Sequence, residues 1–374
     1  MAKAVYVGVG SKARKMKKAY IGIGGKARKV KKMYIGVGGK ARLCYSAELE
    51  KVGMATALST ARYDMRAATV GKYALFAGGL APNPFFGKNV SSSVDAYNTS
   101  LTKSTPTELS CKRCGHAAAS VGGYALFAGG ASSYNPLGFY ENLVSAVDAY
   151  DASLTRSAAH IIGDTVAIGG AAVGNYALFA GGTVYSQINK DNVTSDVLAY
   201  DPSLTFTTAP LLSVARANVK GASAGNYALF AGGRAGSFCT TVDAYNASLT
   251  RTTATALSST KNNSAAATVG NHAIFVGNTA SADIYDASLT KTSAAILSTA
   301  RTGLAATTVG DYAIFSGGGV ADFCDASLTR SNIGTSMTGY DMGAATIGDY
   351  ALFAGGHSGE KSDTAYDSVE VYTA

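Results

Sequence analysis

Val70-Gly71-Lys72-Tyr73-Ala74-Leu75-Phe76-Ala77-Gly78-Gly79 is written, with small changes, seven times in this chain. The copies open at Val70, Val121, Val173, Ala224, Val269, Val309 and Ile347. Their aromatic residue falls at Tyr73, Tyr124, Tyr176, Tyr227, His272, Tyr312 and Tyr350. Successive copies are 51, 52, 51, 45, 40 and 38 residues apart. A period of that size marks one supersecondary unit per copy, which buries its apolar faces only by stacking on its neighbours.

Each unit divides into four short segments of strand-like composition. In the first unit Ala67-Ala68-Thr69-Val70 meets a Gly71-Lys72 turn, and Tyr73 to Ala77 returns from it. After Gly78-Gly79 and a loop, Val94-Asp95-Ala96-Tyr97 makes a third strand, and the stretch Lys103 to Leu109 supplies a fourth. Paired glycines between aromatic runs are turn chemistry, since glycine takes positive φ without a steric cost. No segment sustains a helical period, so the expected class is all-β.

Tyr-Ala-Leu-Phe-Ala-Gly-Gly, followed after a variable loop by Val-Asp-Ala-Tyr, resembles the kelch repeat of β-propellers. The resemblance spans roughly Ala47 to Ala374 and implies four strands per blade and seven blades. Kelch repeats typically carry a Trp in the fourth strand; this chain has none, and Ser-Leu-Thr stands in that region, as at Ser153-Leu154-Thr155. Small residues such as Ala117-Ala118-Ala119 and Ala265-Ala266-Ala267 fall in the first strand, where seven blades would converge. The last unit stops after its third strand, at Val369 to Tyr372, while Leu58-Ser59-Thr60-Ala61-Arg62 duplicates Leu297 to Arg301 between units five and six. Residues near Glu50 to Leu58 are therefore expected to complete the last blade, removing two exposed sheet edges.

Charge divides the chain at the same place. Residues 1–42 hold thirteen Lys or Arg and no acid, so the net +8 of the whole leaves the remainder at −5. Within this leader Tyr6, Tyr20 and Tyr34 recur every 14 residues, each opening Tyr-[Val/Ile]-Gly-[Val/Ile]-Gly, with Lys-Ala-Arg following at Lys12, Lys26 and Lys40. That pattern predicts one short hairpin per repeat. Isolated hairpins are marginal in water, so ordering against copies of itself or an acidic surface is expected. The domains are thus 1–45, a basic assembly segment, and 46–374, the propeller. Nucleic-acid binding is the lesser alternative for the leader, because regular Gly and Tyr spacing suits β-structure better than phosphate contact. Gly36 to Ala41 lacks the Ser or Thr and the glycine spacing of a phosphate-binding loop.

The repeats Tyr20 to Lys32 and Tyr34 to Arg42 resemble the start of tail-associated proteins of phages and prophages of Gram-positive bacteria. The resemblance implies attachment to other virion proteins through residues 1–45, with Tyr6, Tyr20, Tyr34, Lys12, Lys26 and Lys40 as anchoring residues. It also implies host recognition, of a surface glycan or protein, by the distal domain. The start Met-Ala-Lys-Ala-Val-Tyr has no secretory signal core, and no apolar run reaches membrane-span length. A virion location, assembled in the host cytoplasm, agrees with both.

Ligand recognition is expected on the loops after the double glycine, which are long in units seven, one, two and three and nearly absent in five and six. They carry Phe85, Phe86, Tyr134, Phe139, Tyr140, Tyr185 and Tyr366, as ligand contacts or as packing for the loops themselves. Arg62, Arg113, Arg216, Lys261 and Arg301 stand nine residues before the turn glycines, interrupted by Thr165 and Gly339. They are expected to brace blades through backbone carbonyls, with an anionic ligand as the alternative. The four histidines have no matched acid or nucleophile in the sequence, and no carboxylate pair recurs at a shared loop position. No catalytic residues, cofactor or metal are therefore expected; the single Cys111-Lys112-Arg113-Cys114 lacks the second pair a zinc site wants. A propeller glycosidase or lyase acting on cell-surface polysaccharide, and a cytoplasmic interaction scaffold, are the competing functions.

Overall fold

A computed structural model describes residues 6–9, 12–15, 19–23, 26–30, 32–37, 40–46, 49–83, 87–135, 139–166, 168–184, 192–261, 265–359 and 364–374. Every described element is a strand, and beyond Leu49 the described strands form seven four-stranded antiparallel sheets and three small two-stranded hairpins. The first strands, from Arg66–Val70 in blade one to Gly343–Ile347 in blade seven, touch one another in a cycle that closes from blade seven back to blade one. The protein is a seven-bladed β-propeller.

Closure occurs where the truncated last repeat predicts it. Glu50–Ala55 pairs with Val369–Thr373, with Val369 opposite Ala55 and Thr373 opposite Glu50. The fourth strand of blade seven thus comes from the amino-terminal side of the ring, and one blade is held by both ends of the propeller.

Small first strands let the blades converge. Six of them carry a hydroxyl at the same register, and each donates to the backbone carbonyl of the equivalent residue one blade back. Ser120 reaches Thr69 at 2.7 Å, Thr69 reaches Thr346 at 2.7 Å and Ser223 reaches Ala172 at 2.7 Å. Thr268, Thr308 and Thr346 continue the belt to Ser223, Thr268 and Thr308. Only Ala172 of blade three lacks the hydroxyl. The belt surrounds an axial channel of about 440 Å³ walled by Ala, Gly, Ser and Thr.

Large residues fill the space between blades. Tyr97, Tyr150, Tyr200, Tyr245, Tyr285 and Tyr372 are fully buried and stand edge-on to Phe76, Phe127, Phe179, Phe230, Phe275 and Phe353, with ring centroids 5.7–6.0 Å apart. Such pairs add about 0.5–1.5 kcal/mol to the burial itself. The buried phenols still need acceptors: Tyr97 donates to Thr56 O, Tyr150 to Thr107 O and Tyr285 to Thr255 O. Each acceptor lies in the segment leaving the previous blade, so the aromatic core also pins the crossover.

Both glycines of the repeat are required by these crossovers. Gly78 (φ +64) donates to Ser93 O, and Gly79 (φ +102) donates to Arg113 O of the next blade at 2.9 Å. A Cβ on Gly78 would lie 2.5 Å from Arg113 O, and one on Gly79 would lie 2.5 Å from Tyr63 O.

The leader forms three separate hairpins: Tyr6–Val9 with Lys12–Lys15, Tyr20–Ile23 with Lys26–Lys29, and Lys32–Val37 with Lys40–Ser46. Each 14-residue repeat is one hairpin, and Lys12, Lys26 and Lys40 open the return strands opposite Val9, Ile23 and Val37. Tyr6 and Tyr20 face Lys15 and Lys29, whereas a bulge in the longer third hairpin sets Tyr34 opposite Leu43. Ile21 and Tyr34 are more than half exposed.

Candidate functional site

The sequence-level ring of cations is a set of buried clasps. Arg62 and Asp95 are both wholly buried, 2.8 Å apart, and Arg62 also donates to Phe76 O. The same carboxylate accepts from Ser59 N and Oγ, so Leu58-Ser59-Thr60-Ala61-Arg62 is strapped onto blade one. Arg113–Asp148, Arg216–Asp243, Lys261–Asp283 and Arg301–Asp322 repeat the clasp. A second cation from the fourth strand joins each, as Arg156 does at Asp148 and Arg251 at Asp243. The charges of Arg62, Arg113, Arg216 and Arg301 are thus each answered by a buried carboxylate, as the bracing role expected of them requires.

Two blades depart from the clasp. In blade three Thr165, Leu198 and Phe206 replace the two cations and the acid together, beside a small void of about 20 Å³. In blade seven Glu370 takes the acid's place and is held by Lys51, Ser336 and Tyr372. No charge is orphaned by either change.

The loop aromatics divide. Tyr134 and Tyr140 belong to a raised hairpin, Ala131–Tyr134 with Tyr140–Leu143, and lie edge-on with centroids 5.4 Å apart. The neighbouring hairpin of blade one, Leu80–Asn83 with Gly87–Val90, packs against it. Together they cover Tyr63, Leu80 and Cys114 in a small apolar cluster. Phe139 is exposed at the hairpin tip, and Tyr366 accepts from Thr338 Oγ1 at 3.3 Å on blade seven. Phe85, Phe86 and Tyr185 lie outside the described residues.

Beneath the hairpins the axial channel opens into a cavity of about 200 Å³ lined by Tyr63, Asp64, Arg66, Tyr134, Tyr140, Asn218, Lys220 and Asp341, among others. Asp64, Asn218 and Asp341 occupy one repeat position, two residues before the first strand. All three have left-handed backbone, with φ of 52, 57 and 51°. Asp64 N donates to Asp341 O and Asp341 N to Gly303 O, each at 2.9 Å, which ties blades one, seven and six around the rim. The recurrence of a carboxylate at this position on adjacent blades corrects the reading that no acidic pair shares a loop position.

Most of the charged groups at the mouth are partnered. Asp64 pairs with Arg66 at 2.9 Å and accepts from Gly115 N at 3.0 Å and Tyr140 OH at 3.3 Å. Asp341 is 3.1 Å from His357 Nε2, while His357 Nδ1 faces Gly359 O at 2.9 Å. This histidine does have an acidic partner, contrary to expectation from sequence. Burial opposes the charge on His357, but the hydrogen bond and charge of Asp341 outweigh it and raise its pKa. Burial likewise opposes ionisation of Asp341, and the His357 hydrogen bond, with the nearby cations, leaves it below the usual carboxylate range. The Lys220 ammonium makes no ion pair or hydrogen bond with any described residue. Enclosure by protein, reinforced by Arg66, pushes its pKa down to about 8 against the pull of Asp341 and Asp64.

Sequence reasoning missed Asp64, Arg66, Lys220 and Asp341. The signal was present: at the start of an otherwise Ala/Gly strand, Arg66 and Lys220 stand where Ala117, Gly169, Ala265, Ala305 and Gly343 stand in the other units. Cys111, Cys114, Cys239 and Cys324 are free thiols, and no group of three or more metal-binding side chains occurs among the described residues. No protein-family model matches the chain, and no curated protein matches it.

Proposed function

We propose that this chain is a virion recognition protein of the phage-tail kind, with kelch-like repeats, attached through its basic hairpins and meeting host-surface glycan or protein through the propeller. The observation that carries the proposal is the opposition of two faces. In each blade the turns after the first and third strands share one face, whereas the post-glycine loops and crossovers share the other. Glu50 begins a fourth strand opposite Thr373, so the chain enters the ring on the turn face. The mouth and its raised hairpins open on the far face. A leader with thirteen cations on one side and a walled polar cavity on the other suit tethering and recognition respectively.

The glycosidase or lyase reading draws on Asp64 and Asp341 sitting side by side. Glycoside hydrolysis needs one protonated carboxyl and one ionised partner. Asp341 lies below the usual carboxylate range, and Asp64 is already engaged by Arg66, Gly115 and Tyr140. That arrangement favours binding without turnover.

The test is to express a tagged chain with its particle and measure copurification with virions and adsorption of the free protein to host cells. The full chain is expected to do both, and the chain without residues 1–42 only the second. Equal copurification of the two, or adsorption by neither, contradicts the proposal.

A further inference from the structure

The mouth cavity combines two unsatisfied donors. Tyr63 is one of the residues lining the cavity and is 7% exposed, yet its buried hydroxyl has no hydrogen-bond partner among the described residues. Burial holds this phenol protonated at any physiological pH, so it is available as a donor. Across the cavity the Lys220 ammonium is unpaired among the described residues. A buried polar group without a partner is costly and uncommon, and a donor and a cation left open together point to an acceptor-rich, anionic occupant.

The remaining walls narrow that occupant further. Asp341 Oδ1 has no hydrogen bond to a described residue and can accept from a ligand hydroxyl, since only Oδ2 engages His357. Tyr140 and Tyr134 offer aromatic surface, and the Asn218 side chain is exposed at the rim. A bare inorganic anion would meet the repulsion of Asp64 and Asp341 and leave the aromatic wall unused. A neutral sugar would leave Lys220 unanswered. At about 200 Å³ the space is below the ~300–1,000 Å³ of sites for drug-sized molecules, so it admits one ring rather than several.

We propose that the mouth binds a single sugar unit bearing a carboxylate or a phosphate, its anion on Lys220 and its hydroxyls shared between Tyr63 and Asp341. This deepens the recognition reading and rests on it. Carboxylate and phosphate sugars present the same chemistry to Lys220: an anion held on a hydroxylated ring.

Calorimetric titration of the full-length protein decides the matter. The probes are glucuronate, galacturonate and N-acetylneuraminate in one arm, glucosyl and N-acetylglucosaminyl phosphate in a second, and methyl glucoside, methyl galactoside and inorganic phosphate as controls. At least one charged sugar is expected to bind about tenfold or more tightly than every control. Lys220→Met should abolish that margin, Lys220→Arg should keep it, and Tyr63→Phe should weaken binding severalfold. The unfolding midpoint of each variant is measured alongside, so that lost binding is not confused with lost fold. The inference is overturned if a control binds as tightly as any charged sugar, or if no charged sugar binds by about 10 mM. It is equally overturned if Lys220→Met, folded normally, retains the margin. Host-cell adsorption, run on the same preparations, separates the two ideas: adsorption without sugar binding sinks the mouth assignment alone, and absence of adsorption sinks the recognition reading itself.

Discussion

Asp95 concentrates the logic of the fold in one carboxylate: it answers Arg62 from the crossover and Lys103 from the fourth strand and holds Ser59 in place. A buried ion pair is weak evidence of net stability, but removing one partner leaves a charge with neither water nor counter-ion. Arg62→Ala or Asp95→Leu should therefore destabilise the ring by about 3–5 kcal/mol in urea unfolding. Blade three shows the alternative, with Thr165, Leu198 and Phe206 packed where the triad would stand. Copying it into blade four, as Arg216→Thr, Asp243→Leu and Arg251→Phe together, should cost less than Asp243→Leu alone. A triple variant at least as unstable as the single one would show that the clasp is worth more than its apolar substitute. His357 gives the pH test at this scale. Its pKa is raised above the ordinary 6.5, so the stabilisation it draws from Asp341 is full below that pH and fades as pH rises through the folded value. Asp341 is lowered from 3.8, so its share is full above that pH and lost as pH falls through the folded value. The pair is strongest between these limits. Imidazole NMR should give a midpoint above 6.5, and Asp341→Asn should lower it, because burial is then opposed only by the Gly359 carbonyl contact; an unchanged midpoint would mean that Asp341 does not hold the ring.

At the scale of elements the repeats made the strands legible, since Gly-x-Tyr turns and double glycines mark each boundary. The closing strand was legible for the same reason: the last repeat lacks its fourth segment, and an orphan crossover precedes the first. The mouth was harder to foresee because it departs from the repeat. Its charges occur only in some blades, and only closure of the ring brings residues as distant in sequence as Asp64, Lys220 and Asp341 to one cavity. The clasps were half legible. Cations at a fixed offset were plain, but their partners lie at distances that vary from 21 residues on, as Asp322 does from Arg301, to 35, as Asp148 does from Arg113, so no fixed spacing marked the pairs. Deleting residues 1–42 should leave the unfolding midpoint within about 2 °C of the intact chain. Deleting residues 1–58 removes Glu50–Ala55, the Thr56 acceptor of Tyr97 and the buried Leu58. That should lower the midpoint by roughly 5–10 °C or more, or prevent folding. Scanning calorimetry of the two truncations checks this, and equal midpoints would mean that the closing strand is dispensable.

On the proposed function, a self-sufficient ring presents a recognition mouth on one face while a dependent leader attaches it from the other. The ring has a core at every blade interface, whereas the leader has three hairpins in separate two-stranded sheets and thirteen cations that repel one another. Two-stranded hairpins are marginal alone, and their free edges and charges call for an acidic partner surface. Hydrogen exchange on the full-length protein, free and within its particle, tests this most directly. The account predicts fast exchange at the amides of residues 6–46 in the free monomer, beside a strongly protected propeller, and slow exchange of the same amides after assembly. Strong protection of the leader in the free monomer, or fast exchange within the particle, would contradict it.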